Sequence, residues 1–190
     1  MHNRADKIKC NQENDHVLKR EQERMSQIWT KAQESAISQL LEAFGVRDPH
    51  LVHELTEVGF DTKTSRLLYL VPVIEVAWSD GTVTRREVLE IERIARVNGV
   101  DKGGEAHIRL MEWLNHRPTD HFFQVCRRGV KLMLHDRSPI EARSLRRDLI
   151  EYCTRIAKVS GVFLSSVSGV SPEEERTLND LMREFGRAIG

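Results

Sequence analysis

Apolar side chains recur at three- and four-residue steps along most of the chain, which is the spacing of one face of an α-helix. The first such pattern runs from Val17 to Phe44 and stops at Gly45, a residue type that commonly ends helices. Its apolar positions are Met25, Ile28, Trp29, Ala32, Ala36, Ile37, Leu40, Leu41 and Phe44. The spacing predicts an amphipathic helix, preceded by a polar, aperiodic segment over residues 1–14 that we expect to be disordered.

Helix-start signals divide the rest of the chain. Asp48-Pro49 places an N-cap residue before a first-turn proline and predicts a helix that ends at Gly59. Three capping boxes follow, each with a hydroxyl residue and a glutamate three positions later. They join Thr84 to Glu87, Ser138 to Glu141 and Ser171 to Glu174, and they open helices to about Asn98, Val159 and Phe185.

The remaining apolar runs are also helical in spacing. Leu67 to Trp78 predicts a helix that Pro72 must kink or distort, because proline removes a backbone donor. Its possible caps are Thr62, Thr64 and Ser65. Further helices are expected near Glu105–Asn115 and Asp120–His135. No segment shows the sustained alternation of a strand, so the sequence predicts an all-α fold: a compact bundle of about seven helices with an extra N-terminal amphipathic helix.

Three parts are expected along the chain. Residues 1–14 form a disordered tail, residues 15–60 form an N-terminal helical extension, and residues 61–190 form the main helical domain. The helix from about Val17 to Phe44 is the best candidate for a contact with a partner or a second copy. A stripe of this kind more often packs on its own domain.

Composition narrows the class of function. The 29 Lys and Arg residues balance 29 Asp and Glu residues, so no net field attracts nucleic acid or a membrane surface. The longest apolar run is too short and too charged to cross a bilayer, and no secretory signal is visible. Three scattered cysteines without a CxxC pair fit a reducing compartment. We therefore expect a cytoplasmic protein without a nucleic-acid partner, with Cys126 and Cys153 in its core.

One acidic turn carries candidate chemistry. The segment from Asp80-Gly81 to Glu87 reproduces the second half of an EF-hand loop, in which an aspartate precedes glycine and a glutamate closes the loop. Val76 and Trp78 occupy the positions of the first two ligands, which excludes a complete EF-hand. Two interpretations remain open. The carboxylates bind a hard cation such as calcium or magnesium, with Glu75 or Glu90 within possible reach, or they only shape a turn and cap a helix.

The stretch Leu70-Val-Pro-Val-Ile-Glu-Val-Ala-Trp-Ser-Asp-Gly-Thr-Val-Thr-Arg-Arg-Glu87 resembles the signature of the TerB-like family. This tellurite-resistance group also supplies the N-terminal domain of some membrane-anchored DnaJ-type co-chaperones. A second helix pair, from Ala157 to Glu174, looks like the later pair of that family, and the resemblance covers roughly residues 64–185. It implies an all-helical fold and a metal site at Asp80, Glu87 and Glu174. Ser160 departs from the pattern, because it stands where a second aspartate would add charge.

These observations lead to two functional hypotheses. The first is a non-enzymatic TerB-like module, associated with tellurite or stress response, that binds protein partners and weakly binds a divalent cation. The second is a structural or interaction scaffold without a metal. No nucleophile–base pair is visible in the sequence. The pair His50 and His53 has no third ligand nearby and is interpreted as a surface pair. The oligomeric state stays open.

Basic residues on two predicted helices have a simpler interpretation. An anionic partner is one possibility, but acidic neighbours on the same helices favour a solvated, paired surface. The residues are Arg127, Arg128, Lys131, Arg143, Arg146 and Arg147.

Overall fold

The computed structural model describes residues 33–160 and 172–186, together with residues 24, 25, 27 and 31. No strand occurs in these described ranges, so the predicted all-α class, a compact bundle of about seven or eight helices, is confirmed. The helices are α1 (residues 33–44), α2 (Pro49–Glu57), a 3₁₀ segment (Ser65–Leu70), α3 (Val71–Ala77), α4 (Arg85–Val97), α5 (Glu105–Asn115), α6 (Asp120–His135), α7 (Pro139–Ser160) and α8 (Pro172–Gly186).

The chain divides into two units, residues 1–39 and residues 40–190. The described positions of the first unit are helical and exposed. The second unit contains one hydrophobic core, which already includes Leu51, Val52 and Leu55 of α2. The predicted tail over residues 1–14 lies outside the described residues, and the predicted division at residue 60 stays a prediction.

Helix α3 is the centre of the second unit. It packs against α4, α6, α7 and α8, and each of its residues except Glu75 is buried. A short helix surrounded on several sides must be apolar all round, which explains why Val71-Pro-Val-Ile has no polar face. The acidic turn begins directly after this helix, so the core holds one end of the turn in place.

Near Pro72 the chain changes from a 3₁₀ helix to an α-helix, whereas the sequence predicted one kinked or distorted helix. The predicted run Leu67–Trp78 consists of the 3₁₀ segment followed by α3, and Pro72 lies in the first turn of α3. A first-turn residue has no carbonyl partner within its own helix, so the missing donor costs little there. Asp61 organises the turn before the 3₁₀ segment: its Oδ1 accepts the N–H groups of Lys63 at 3.0 Å and Thr64 at 2.8 Å. Thr64, one of the possible caps, occupies the N-cap position of the 3₁₀ segment, but its side chain makes no cap hydrogen bond there.

The predicted helix starts are otherwise confirmed where the chain is described. Asp48 Oδ1 accepts the N–H groups of His50 and Leu51, at 2.9 and 3.4 Å. Ser138 and Glu141 bond reciprocally, with Ser138 N–H donating to Glu141 at 3.2 Å and Glu141 N–H donating to the Ser138 hydroxyl at 3.4 Å. The Ser171 half of the third box lies outside the described residues.

Five aromatic rings, from three helices and the loop residue Phe60, form one continuous cluster in the second unit. Phe60 lies 5.9 Å from Phe44 and 5.1 Å from Trp113, measured between ring centroids. Phe122 extends the cluster at 4.9 Å from Trp113, and Phe123 follows at 5.6 Å from Phe122. Such pairs add to the energy of area burial, so the cluster joins α1, α5 and α6.

None of the described helices contains an apolar stretch long enough to cross a membrane.

Candidate functional site

The acidic turn is shaped by Asp80 and Gly81. The Asp80 carboxylate accepts the backbone N–H of Thr82 at 2.9 Å, a bond typical of an Asx turn. Gly81 has a φ of +91°, in the left-handed region where a side chain would be strained, and its N–H donates to Trp78 O at 3.0 Å. Asp80 itself is exposed. The Asp-Gly pair therefore turns the chain from α3 toward α4.

Glu87 closes the turn from within α4. Thr84 is the N-cap, and its backbone N–H donates to Glu87 Oε2 at 2.6 Å while Glu87 N–H donates to the Thr84 hydroxyl at 3.4 Å. The predicted capping box is thus confirmed in both directions. Glu87 has no exposed surface. A buried carboxylate needs such partners, and here a backbone donor supplies one of them.

Glu174 is the third residue of α8 and is likewise fully buried. Its neighbours Glu173 and Glu175 are exposed, so only one of the three first-turn acids of α8 faces the core. Asp80 is exposed, whereas Glu87 and Glu174 are not. Across the described ranges, no three His, Cys, Asp or Glu side chains are grouped so as to hold a metal ion.

Two further acids that the sequence placed near this turn form ion pairs with arginines. Glu75 Oε1 lies 3.3 Å from Arg127 of α6, and the same guanidinium lies 3.7 Å from Glu184 of α8. Glu90 pairs with Arg155 of α7. Burial raises the pKa of Glu75 above its ordinary range, although Arg127 opposes the shift. Its second oxygen is buried and has no hydrogen-bond partner among the described residues. The burial of Glu75 therefore costs free energy, while its ion pair with Arg127 links α3 to α6 and, through Glu184, to α8.

The thiols of the core are not suited to chemistry. Cys126 and Cys153 are buried as predicted, and burial raises the pKa of each thiol. The thiolate is the reactive form, so both groups stay protonated and inert. Cys10 lies outside the described residues.

A groove of about 340 Å³ lies between α2 and α6 and carries both apolar and charged groups. Its lining residues are Asp48, His50, Leu51, Glu54, Arg128, Lys131, Leu132 and His135. The exposed surface inside it is mainly apolar, because Leu51 and Leu132 are joined by the aliphatic stems of the long charged side chains. The charged ends form the rim.

Three contacts hold the walls of the groove. Arg128 donates to Glu54 across the groove at 2.6 Å, and Arg47 N–H donates to Asp136 at the end of α6 at 3.0 Å. Gly129 lets α6 approach the core closely: a Cβ there would lie 3.1 Å from Leu68 and 3.6 Å from Leu55. Close packing at Gly129 and the ion pair between Arg128 and Glu54 therefore hold α6 against α2 beside the groove.

The rim carries two carboxylates, Asp48 and Glu54, and two cations, Arg128 and Lys131. Asp48 is engaged as the cap of α2, and Glu54 is engaged with Arg128. Lys131 makes no ion pair within the part of the chain that the structure describes. His50 and His135 add two imidazoles, and His135 Nδ1 lies 3.5 Å from Asp136 Oδ1. A ligand with an apolar body and a negative edge matches this arrangement.

Sequence reasoning did not find this groove. His50 was interpreted as half of a surface pair, and His53 in fact contacts Glu57 at 3.4 Å. Arg128 and Lys131 were assigned to a solvated face. The signal that was available is Gly129, since glycine inside a helix costs about 1 kcal/mol relative to alanine and so indicates close helix packing.

Comparison of the chain with protein-family models, with curated proteins and with solved structures finds no match in any of the three.

Proposed function

We propose that this protein is a non-enzymatic helical interaction module that binds an acidic amphipathic helix of a partner protein in the groove between α2 and α6. The groove carries this proposal. A groove between two helices accepts an apolar helix face through side chains at i, i+3 or i+4 and i+7, and the rim of this groove favours acidic residues on that helix.

The non-enzymatic part rests on the state of the reactive groups. Both described thiols are buried with raised pKa values. Glu87 accepts a backbone bond at 2.6 Å, which an incoming substrate or ion would have to displace. The turn bond of Asp80 and the cap bond of Glu87 support the scaffold hypothesis over the hypothesis of a divalent-cation site at Asp80, Glu87 and Glu174.

A role in tellurite or stress response is proposed only on the resemblance of Leu70–Glu87 to TerB-like proteins. It is tested by the tellurite tolerance of cells that carry or lack the gene. The interaction proposal does not depend on that result, because it rests on the groove.

Fluorescence anisotropy tests the interaction. The probe is a labelled amphipathic peptide with leucines on one helical face and glutamates on the other, and the comparison peptide has lysine in place of glutamate. We expect the acidic peptide to bind the full chain more tightly than the basic one. Lys131→Glu should weaken its binding about tenfold, because like charges across an interface are strongly unfavourable. Lys158→Glu, at an exposed position of α7, is the matched control and should bind normally.

Equal binding of the two peptides contradicts the proposed occupant. Normal binding by Lys131→Glu contradicts the proposed site.

A further inference from the structure

The two helices that form the groove run antiparallel, so the two ends of the groove differ. Toward one end, Arg128 of α6 donates to Glu54 of α2, and this ion pair satisfies both charges. Toward the other end, the N–H of Arg47, just before α2, donates to Asp136, just after α6. This second end therefore lies between the start of α2 and the end of α6.

Two histidines stand at the second end, one on each helix. His50 is the second residue of α2, and His135 is the last residue of α6. Both line the groove and both are exposed. Lys131, also exposed, precedes His135 by four residues, a spacing that places both side chains on one face of α6. A bound partner thus meets three nitrogen-bearing side chains at this end.

The net charge of the groove depends on the two imidazoles. The other charged residues that line it are two acids and two bases, whose charges cancel: Asp48, Glu54, Arg128 and Lys131. With neutral imidazoles the lining therefore has no net charge, and with both imidazoles protonated its net charge is +2. Histidine is the side chain whose charge ordinarily changes between pH 5 and 8. Within that range the groove changes from a neutral surface to a cationic one.

Charges of both signs surround the imidazoles. They are Asp48 and Glu54 on α2, Arg128 and Lys131 on α6, and Arg47, Asp136 and Arg137 in the segments that adjoin these helices. Asp136 Oδ1 lies 3.5 Å from His135 Nδ1, and the carbonyl end of α6 adds partial negative charge beside this ring. Both attract an imidazolium, whereas Lys131 on the same face repels it. Asp48 accepts two backbone N–H groups at the start of α2, so its charge is already hydrogen-bonded.

We propose that the second end of the groove is a subsite for the carboxylates of the bound helix, and that protonation of His50 and His135 strengthens this binding. The subsite rests on the proposed function of the groove, to which it adds the position of the acidic residues and the pH at which they bind most tightly. Glutamate side chains ordinarily stay ionised down to a pH of about 4.3, so the ligand keeps its charge while the imidazoles gain theirs.

Fluorescence anisotropy with the full chain and the acidic peptide, at about pH 8 and about pH 6, tests the subsite. The peptide carries a label whose signal does not change over this range. We expect binding to be about fivefold tighter at the lower pH, since each exposed charge pair contributes little. The double variant with His50→Gln and His135→Gln should bind equally at both pH values. The basic comparison peptide should bind the natural protein more weakly at the lower pH.

The matched control replaces one histidine on each of the same helices outside the groove. His53 and His121 are both exposed and do not line it. The double variant with His53→Gln and His121→Gln should therefore keep the full pH effect. Circular dichroism at both pH values checks that each variant is folded.

The outcomes separate the subsite from the groove itself. No binding of the acidic peptide at either pH overturns the proposed function, and the subsite with it. Equal binding at the two pH values leaves the groove as the docking site and overturns the subsite. A pH effect that persists without His50 and His135, or that is lost without His53 and His121, also overturns the subsite.

Discussion

Glu87 and Thr84 hold each other at the start of α4: the Thr84 N–H donates to the Glu87 carboxylate at 2.6 Å, and the Glu87 N–H returns a bond to the Thr84 hydroxyl at 3.4 Å. The same carboxylate is fully buried. The residue that the TerB-like resemblance marks as a metal ligand is therefore also the residue that satisfies a helix terminus.

Thr84→Ala should lower the free energy of unfolding by about 1 kcal/mol, the usual cost of removing a hydroxyl cap. It leaves a buried Glu87 N–H without its acceptor. Urea denaturation measures the change. Thr82→Ala, in the same turn but outside the box, should stay within about 0.5 kcal/mol of the natural protein. Equal losses in the two variants would show that the box contributes nothing specific.

Asp80→Ala separates the two hypotheses for the turn. If Asp80 only accepts the Thr82 N–H, the variant loses stability but responds to ions as the natural protein does. Calorimetric titration with calcium, magnesium and zinc should then give the same heats for both. A heat that disappears in Asp80→Ala would instead establish a divalent site.

Gly129→Val should cost about 1–3 kcal/mol, the range for overpacking a filled core. Its Cβ would lie 3.1 Å from Leu68, which is 1% exposed and has no room to retreat. Gln124→Val makes the same residue at an exposed site on the same helix and serves as the control. Thermal denaturation compares them, and equal melting temperatures would exclude close packing at Gly129.

The contribution of Glu75 to stability should change with pH in the sense opposite to that of a carboxylate whose pKa is lowered by folding. Because burial raises its folded pKa above the ordinary value of 4.5, the folded state binds a proton more tightly than the unfolded chain. Its contribution to stability therefore increases as pH falls through the folded pKa and decreases as pH rises. Relative to Glu75→Gln, the natural protein should gain stability as the pH falls from about 7 toward 4.5.

Glu141 should show the opposite pH dependence of stability in the same experiment. Hydrogen bonds from Ser138 lower its folded pKa, so its contribution is present above 4.5 and is lost on acidification below that value. Glu141→Gln should accordingly reduce the loss of stability in acid. Parallel pH profiles for the two variants would contradict the assigned environments.

Thiol reactivity should follow burial. In a Cys10→Ser background we expect no fast reaction of the folded protein with a disulfide reagent, because Cys126 and Cys153 are buried with raised pKa values. Both thiols should react after unfolding in urea. A rapidly reacting thiol in the folded variant would show that one of them is accessible.

Local signals explain how much of this fold the sequence predicts. Asp48, Thr84 and Ser138 bond within three residues of themselves, so their helix starts depend on neighbours in the chain. The 3₁₀ segment before Pro72 depends on how α3 fits among four other helices, which no local pattern contains. For the same reason the groove and the contact of Arg127 with Glu75 and Glu184 were not predicted, since their partners lie far apart in sequence.

The cluster of five aromatic rings contains Trp113, whose fluorescence depends on how its neighbours pack. Phe44 is the last residue of α1 and touches Phe60, and Phe60 touches Trp113, which is 8% exposed. The Trp78 indole N–H donates to the backbone oxygen of Trp113 at 2.9 Å. We expect a displacement of Phe44 to repack the rings around Trp113 and so to change the intrinsic tryptophan fluorescence, which can be followed without a dye or a tag.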